Sequence, residues 1–259
     1  MTAAAEGEYD QAVRHFKNAT DLQPDYYDAW MARGKAHLRL GRWNSAANDF
    51  DAAILANPDF AAAHAAKGFA YFKERAPLPA LFCFRDAFER EQTPETMNNY
   101  AAMCRLSQAE PNIELARELL DEAVRRWPEL SILRYNRFLV ELVEASMENR
   151  PAGPQAILDI LAAATNAPNN ARLRYLAAVG YLKSESPDLP QARLELEAAA
   201  VRGWNPAELT QQGTLKALCA APDFNAWYAS LTRMYVADTP AEWRASPPDL
   251  IDPSPDATR

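Results

Sequence analysis

Three histidines, His15, His37 and His64, and three cysteines, Cys83, Cys104 and Cys219, are the side chains of this 259-residue sequence best suited to nucleophilic or metal chemistry. A metal site needs three or four such ligands close together, and an activated nucleophile needs a base within hydrogen-bond reach. Neither pattern is present: the histidines fall on separate stretches with no Ser, Cys or carboxylate at motif spacing, and the cysteines are far apart and unpaired. The sequence contains no H-E-x-x-H, no G-x-S-x-G and no glycine-rich phosphate loop. It therefore reads as non-enzymatic, with no catalytic residue, metal or cofactor to nominate. The cysteines read as reduced core residues, which favours a cytoplasmic or other reducing compartment. Glu114, Glu118, Asp121 and Glu122, interleaved with Arg117, Arg125 and Arg126, form a mixed charge run at helical spacing, the pattern of a solvated helix face.

Composition narrows the partners. With 49% hydrophobic and 24% charged residues the chain can bury a core. A formal charge of −8 argues against nucleic acid, because phosphate binding needs Lys and Arg gathered on one face. No apolar run reaches the roughly 18 residues that cross a bilayer, and the first residues lack the basic-then-apolar order of a secretory signal.

The elements that must position any site follow from an internal period. An offset of 34 residues aligns Gly7 with Gly41, Ala12 with Ala46 and Ala80, Phe16 with Phe50 and Phe84, and Ala19 with Ala53 and Ala87. It also relates Gly34 to Gly68, Pro24 to Pro58 and Pro94 to Pro128. A fixed period in this range marks a solenoid of stacked units. Small residues recur where two helices cross closely, phenylalanines fill the space beside them, and prolines end one helix and launch the next. The spacing Trp30-x2-Arg33-Gly34-x2-His37…Ala46-x3-Phe50…Pro58 resembles the tetratricopeptide repeat (TPR), and His64-x2-Lys67-Gly68-x2-Tyr71…Ala80-x3-Phe84…Pro94 is similar to it. The pattern decays through Ala116-x3-Leu120, Ala156-x3-Ile160 and Ala192-x3-Leu196, so the resemblance covers roughly residues 6–204. Arg33 and Lys67 stand where the family favours Leu, and His37 and His64 where it favours large aromatics, which predicts partly wet helix faces.

The resemblance implies an all-α fold, a right-handed superhelix of helix pairs with a C-terminal helical cap. Eleven helices are expected, over about 6–22, 25–40, 43–56, 59–75, 77–91, 95–108, 111–127, 129–148, 154–166, 169–184 and 188–202. The array occupies 1–204 as five to six units, the first lacking its partner helix, as though the chain were a piece of a longer protein. Residues 205–245 read as capping helices, with Asn205-Pro206 opening one and Thr239-x-x-Glu242 boxing another that holds Trp243. The proline-rich stretch 246–259 reads as a disordered tail or linker.

A TPR array holds partners against the first helix of each pair, so the resemblance implies a scaffold that binds a protein or peptide, helical or extended. Counting from the prolines nominates Lys35, Arg39, Phe69, Phe72, Lys73, Arg105, Tyr135, Leu139, Arg172 and Tyr175 as an oily groove with basic ends, suited to a segment carrying acidic residues. Asp28, Met31, Ala65, Asn98 and Gln108 fall on the same faces. Two alternatives stay open at each position: packing between neighbours, or cover by the C-terminal cap folding back. The carboxylate clamp of chaperone-binding TPR proteins is not matched, since only Asn136 and Arg172 could fill its places. Other readings are a repeat arm of a larger enzyme or membrane-anchored assembly, and self-association through the incomplete first unit; oligomeric state is left open.

Overall fold

A computed structural model describes residues 3–107, 111–207, 216–235 and 250–251. Among them are thirteen α-helices. In chain order they are α1 (Ala3–Leu22), α2 (Tyr27–Arg39), α3 (Trp43–Ala56), α4 (Ala61–Lys73), α5 (Pro77–Arg90), α6 (Pro94–Leu106), α7 (Ile113–Arg126), α8 (Ser131–Met147), α9 (Pro154–Asn166), α10 (Ala171–Lys183), α11 (Leu189–Ala200), α12 (Lys216–Cys219) and α13 (Phe224–Met234). The fold is all-α, and α1 to α11 lie where the period predicts helices. Thr239, Glu242 and Trp243 lie outside the described residues.

Proline and short polar side chains set the helix starts. Pro77, Pro94, Pro154 and Pro190 sit in first turns, where a missing N–H costs nothing. At α6 the capping box is complete: Thr96 N donates to Thr93 Oγ1 at 3.2 Å and Thr93 N donates to Thr96 Oγ1 at 3.0 Å. Asn170 and Asp188 cap α10 and α11 in the same sense, each accepting a backbone N–H at 3.0 Å.

The chain divides into two compact units. Unit 1 comprises the described residues up to Leu119 together with 250–251, and unit 2 those from Leu120 to 235. In unit 1 each helix from α1 to α6 packs on the next, and the first helices α2, α4 and α6 also touch in turn. The second helix of each pair repeats one arrangement in both units: Ala46, Phe50 and Ala53 of α3, Ala80, Phe84 and Ala87 of α5, Ala116, Leu120 and Ala123 of α7, Ala156, Ile160 and Ala163 of α9, and Ala192, Leu196 and Ala199 of α11 are all buried. Alanines let the backbones approach while one large side chain fills the crossing. In unit 1 that side chain meets a glycine. A Cβ built on Gly34 would lie 2.5 Å from the Phe50 ring, and one on Gly68 would lie 3.1 Å from Phe84.

The departures from the family's residues have structural reasons. Arg33 reaches across its pair to Asp49, with Nε 3.0 Å from Oδ2 and Nη2 2.5 Å from Oδ1, and its guanidinium lies 4.5 Å from the Trp30 ring centroid. Lys67 pairs with Asp51 at 2.6 Å and leans on Tyr71. The Arg33 pair is dry, whereas Asp51 keeps the Lys67 pair in contact with solvent, so the expectation of partly wet faces is corrected at Arg33 and holds at Lys67. His64 donates Nε2–H to the carbonyl of Pro58 at 3.0 Å, as Trp30 Nε1 donates to Pro24 at 2.8 Å and Arg134 Nε to Pro128 at 3.2 Å. In all three cases the donor lies six residues after the proline, so the family's aromatic is replaceable by any side chain that delivers an N–H there. Burial holds the His64 imidazole below its ordinary value of 6.5, keeping it neutral.

In unit 2, α8 to α11 pack in sequence and α13 packs on α11. Asp159 of α9 is buried and receives Arg137 of α8 through two bonds of 2.6 Å. The insertion around 146–154 forms a loop tied to the end of α10: Ala152 N donates to Lys183 O at 2.7 Å, and Ala152 makes an isolated parallel bridge with Ser184. Over the end of this unit, Leu218 and Leu231 enter the core, Arg193 holds Asp223 at 2.6 Å, and Trp227 Nε1 donates to Glu197 at 2.8 Å.

Candidate functional site

The ten nominated residues fall into two sets. On unit 1, Phe69 is buried and Phe72 packs against the same cluster. Lys73, exposed, lies 5.0 Å from the Phe69 ring centroid, and Lys35, Arg39 and Arg105 are half-buried on α2 and α6. On unit 2, Tyr135 and Tyr175 are in the core, Leu139 packs against it, Tyr175 stacks on Trp204 at 5.2 Å, and Arg172 covers the Tyr175 ring at 4.7 Å. The aromatic rings Phe69, Tyr135 and Tyr175 are thus part of their units' cores.

What unit 1 brings together is a different set, centred on α6. Asn98 and Asn99 are adjacent, fully buried amides in an apolar helix, an arrangement that carries a heavy desolvation cost unless each amide is bonded. Asn98 Nδ2 donates to Asn99 Oδ1 at 3.1 Å and fixes its orientation. Asn99 then engages one residue from the far end of the chain: its Nδ2 donates to Ile251 O at 2.9 Å, and its Oδ1 accepts from Ile251 N at 2.7 Å. A primary amide presents a donor and an acceptor side by side, matching the N–H and C=O that one residue offers along one edge of its backbone. The residue before it, Leu250, is 2% exposed and belongs to the cluster containing Met31, Ala65, Phe69, Ala102 and Met103. The stretch expected to be a disordered tail or linker therefore places two of its residues on unit 1, because Leu250 finds an apolar seat and the Ile251 backbone finds a matching amide.

Counting from the pattern nominated Asn98 and missed Asn99. The available signal was the Asn-Asn pair within Met97–Cys104, where neither amide is explained by helix propensity, and the aliphatic pair Leu250-Ile251 in a stretch whose remaining residues are proline, polar or alanine. On α8 the corresponding register, six residues after the N-cap as Asn99 is on α6, holds the fully buried Asn136.

The remaining thiols, imidazoles and cleft among the described residues have the following surroundings. Burial pushes the Cys83 and Cys104 thiols up to about 11, so they are protonated and poor nucleophiles. His37 lies 3.8 Å from Asp49, and burial lowers its imidazole's affinity for a proton. Among the described residues no group of three or more His, Cys, Asp or Glu could hold a metal ion. A cleft of about 420 Å³ in unit 2 lies at the 146–154 loop, lined by Leu142, Ala145, Arg150, Ala152, Leu182 and Ser184 among others. Its guanidinium, Arg150, is already held by Glu141, Glu144 and Glu148. No helix among the described residues is long and apolar enough to cross a membrane.

Comparison with known proteins agrees with this architecture. The family model described as tetratricopeptide repeat matches residues 3–68. A tetratricopeptide repeat and J domain-containing co-chaperone, DNJ1, of Cryptococcus neoformans is 40% identical over 60 residues, which are 23% of this chain and 12% of that protein's length. Among solved structures, Pseudomonas aeruginosa pilF is 24% identical with a TM-score of 0.60, over 81% of this chain and 91% of its own. YrrB, described as a TPR protein with an unusual peptide-binding site, is 16% identical with a TM-score of 0.56, over 72% and 91%. Cut9–Hcn1 of the APC/C is 15% identical with a TM-score of 0.63, over 88% of this chain and 43% of the other. At these identities the structural likeness is one of fold.

Proposed function

From the premise that this chain is a tetratricopeptide-repeat protein, we propose that it is a non-catalytic scaffold holding a segment of a protein partner against the first helices α2, α4 and α6 of unit 1. The observation that carries this reading is the pairing of Asn99 with both backbone groups of Ile251, beside an apolar seat that buries Leu250. An amide that reads backbone accepts segments of many sequences, while the seat selects an aliphatic side chain. The seat belongs to the cluster that includes Met31, Phe69 and Met103, and the nominated residues carried by these helices, Phe72, Lys73 and Arg105 among them, are proposed to border it. YrrB, which shares the fold, is described as having an unusual peptide-binding site, which supports a peptide as the class of ligand.

Selection of displayed random peptides on the immobilised full chain tests the reading. Enriched peptides that lose binding to Asn99→Ala, with the helical circular dichroism unchanged, are the expected result. No enrichment over bare matrix, or binding indifferent to Asn99→Ala, overturns it.

A second reading, a repeat arm within a larger assembly, is favoured by the co-chaperone relative, whose matched repeats make up 12% of its length. It is compatible with the first, since an arm would use the same face. Co-purification of the natively expressed protein as a longer polypeptide or stable complex is its expected mark.

A further inference from the structure

We infer that Leu250-Ile251, a two-residue strap on this face, is a built-in competitor for it, and that the external ligand is a segment of the same chemistry: an aliphatic side chain followed by a non-proline residue, with acidic neighbours. The inference rests on the function proposed above. Three observations carry it. The contact has the form of ligand recognition: one side chain in an apolar seat and one residue's N–H and C=O on a preoriented amide. Nothing in it depends on the strap being covalently attached, because Asn99 reads only backbone atoms.

Second, Leu250 and Ile251 meet this face as part of the same chain, and a tether supplies a high effective concentration. An external segment must therefore compete with that tethered pair for the same amide and the same apolar seat.

Third, the sequence of the strap, Asp249-Leu250-Ile251-Asp252, is an aliphatic pair between two carboxylates, on a unit whose first helices carry Lys35, Arg39, Lys73 and Arg105. That is the ligand composition the basic side chains of these helices suit. The cluster that takes Leu250 includes Met31 and Met103, whose unbranched, polarizable side chains suit a seat open to more than one aliphatic side chain.

The test uses the full chain and a fluorescein-labelled synthetic peptide with the sequence of residues 246–255, followed by fluorescence anisotropy. Leu250→Asp empties the seat in cis and is expected to bind the peptide at least tenfold more tightly than the wild type. Adding Asn99→Ala is expected to return that gain. Ile251→Pro removes the N–H donated to Asn99 while keeping Leu250, and serves as the second variant if Leu250→Asp does not fold. Equal affinity of wild type and both strap variants, with loss on Asn99→Ala, overturns the competitor and leaves the proposed function standing. Absence of peptide binding by any folded chain overturns both. A doubled mass of the wild type in light scattering that Leu250→Asp restores to a monomer means the strap docks on a second copy, and overturns the cis arrangement.

Discussion

Gly34, Gly180 and His64 are positions where one atom more or less decides the outcome. A methyl on Gly34 would overlap the buried, rigid Phe50 ring, whereas on Gly180 its nearest neighbour would be 3.5 Å away, in ordinary contact. Gly34→Ala is therefore expected to destabilise by about 1–3 kcal/mol, and Gly180→Ala to stabilise by up to about 1 kcal/mol through helix propensity, as read by thermal or urea unfolding. His64 prefers its neutral form in the fold, so the unfolded chain binds more protons as the medium becomes acidic. Its stabilising contribution is complete above the unfolded value of 6.5 and is lost as pH falls below it. In His64→Gln, which retains an N–H for Pro58 but no titration, the fall in melting temperature over the next one to two pH units, roughly the width of a titration, is expected to be shallower. Of the three thiols, only Cys219 is exposed, so a disulfide reagent is expected to label one cysteine rapidly in the native chain.

At the scale of the helix pair, the contribution of sequence pattern is clearest in α3 and α5. Alanine, phenylalanine and alanine at spacings of four and three place one large side chain between two small ones on a single face, and that face is fully buried in both helices. These features are local, so they were readable without the structure. The polar residues set into the pairs were not. Arg33 occupies a position the repeat family gives to leucine, and only its packing partner on α3 explains it. Arg33→Leu leaves the buried Asp49 carboxylate without its guanidinium and is expected to cost about 3 kcal/mol. Adding Asp49→Leu is expected to recover most of that loss, because an apolar pair of similar volume removes the unpaired charge. A denaturation series on the two variants and their combination checks both statements.

Across the whole molecule, the contact between Asn99 and Ile251 joins residues 152 positions apart in the chain. A chain truncated after residue 245 lacks Leu250 and uncovers the part of the unit 1 cluster on which it sits, and is expected to bind more of an apolar dye such as ANS than the full chain does. Equal dye binding by the two would show that Leu250 does not cover that surface. The sequence by itself determined the all-α repeat, the register of its helices and its small-to-large crossings. Those are set by propensity, proline geometry and a 34-residue period, all of which act within a few dozen residues. Only the tertiary structure decided which polar side chains become partners, and that a leucine in a proline-rich stretch is buried on α6. Such pairings depend on which surfaces meet after the chain has stacked, and a periodic pattern carries no record of a contact that occurs once.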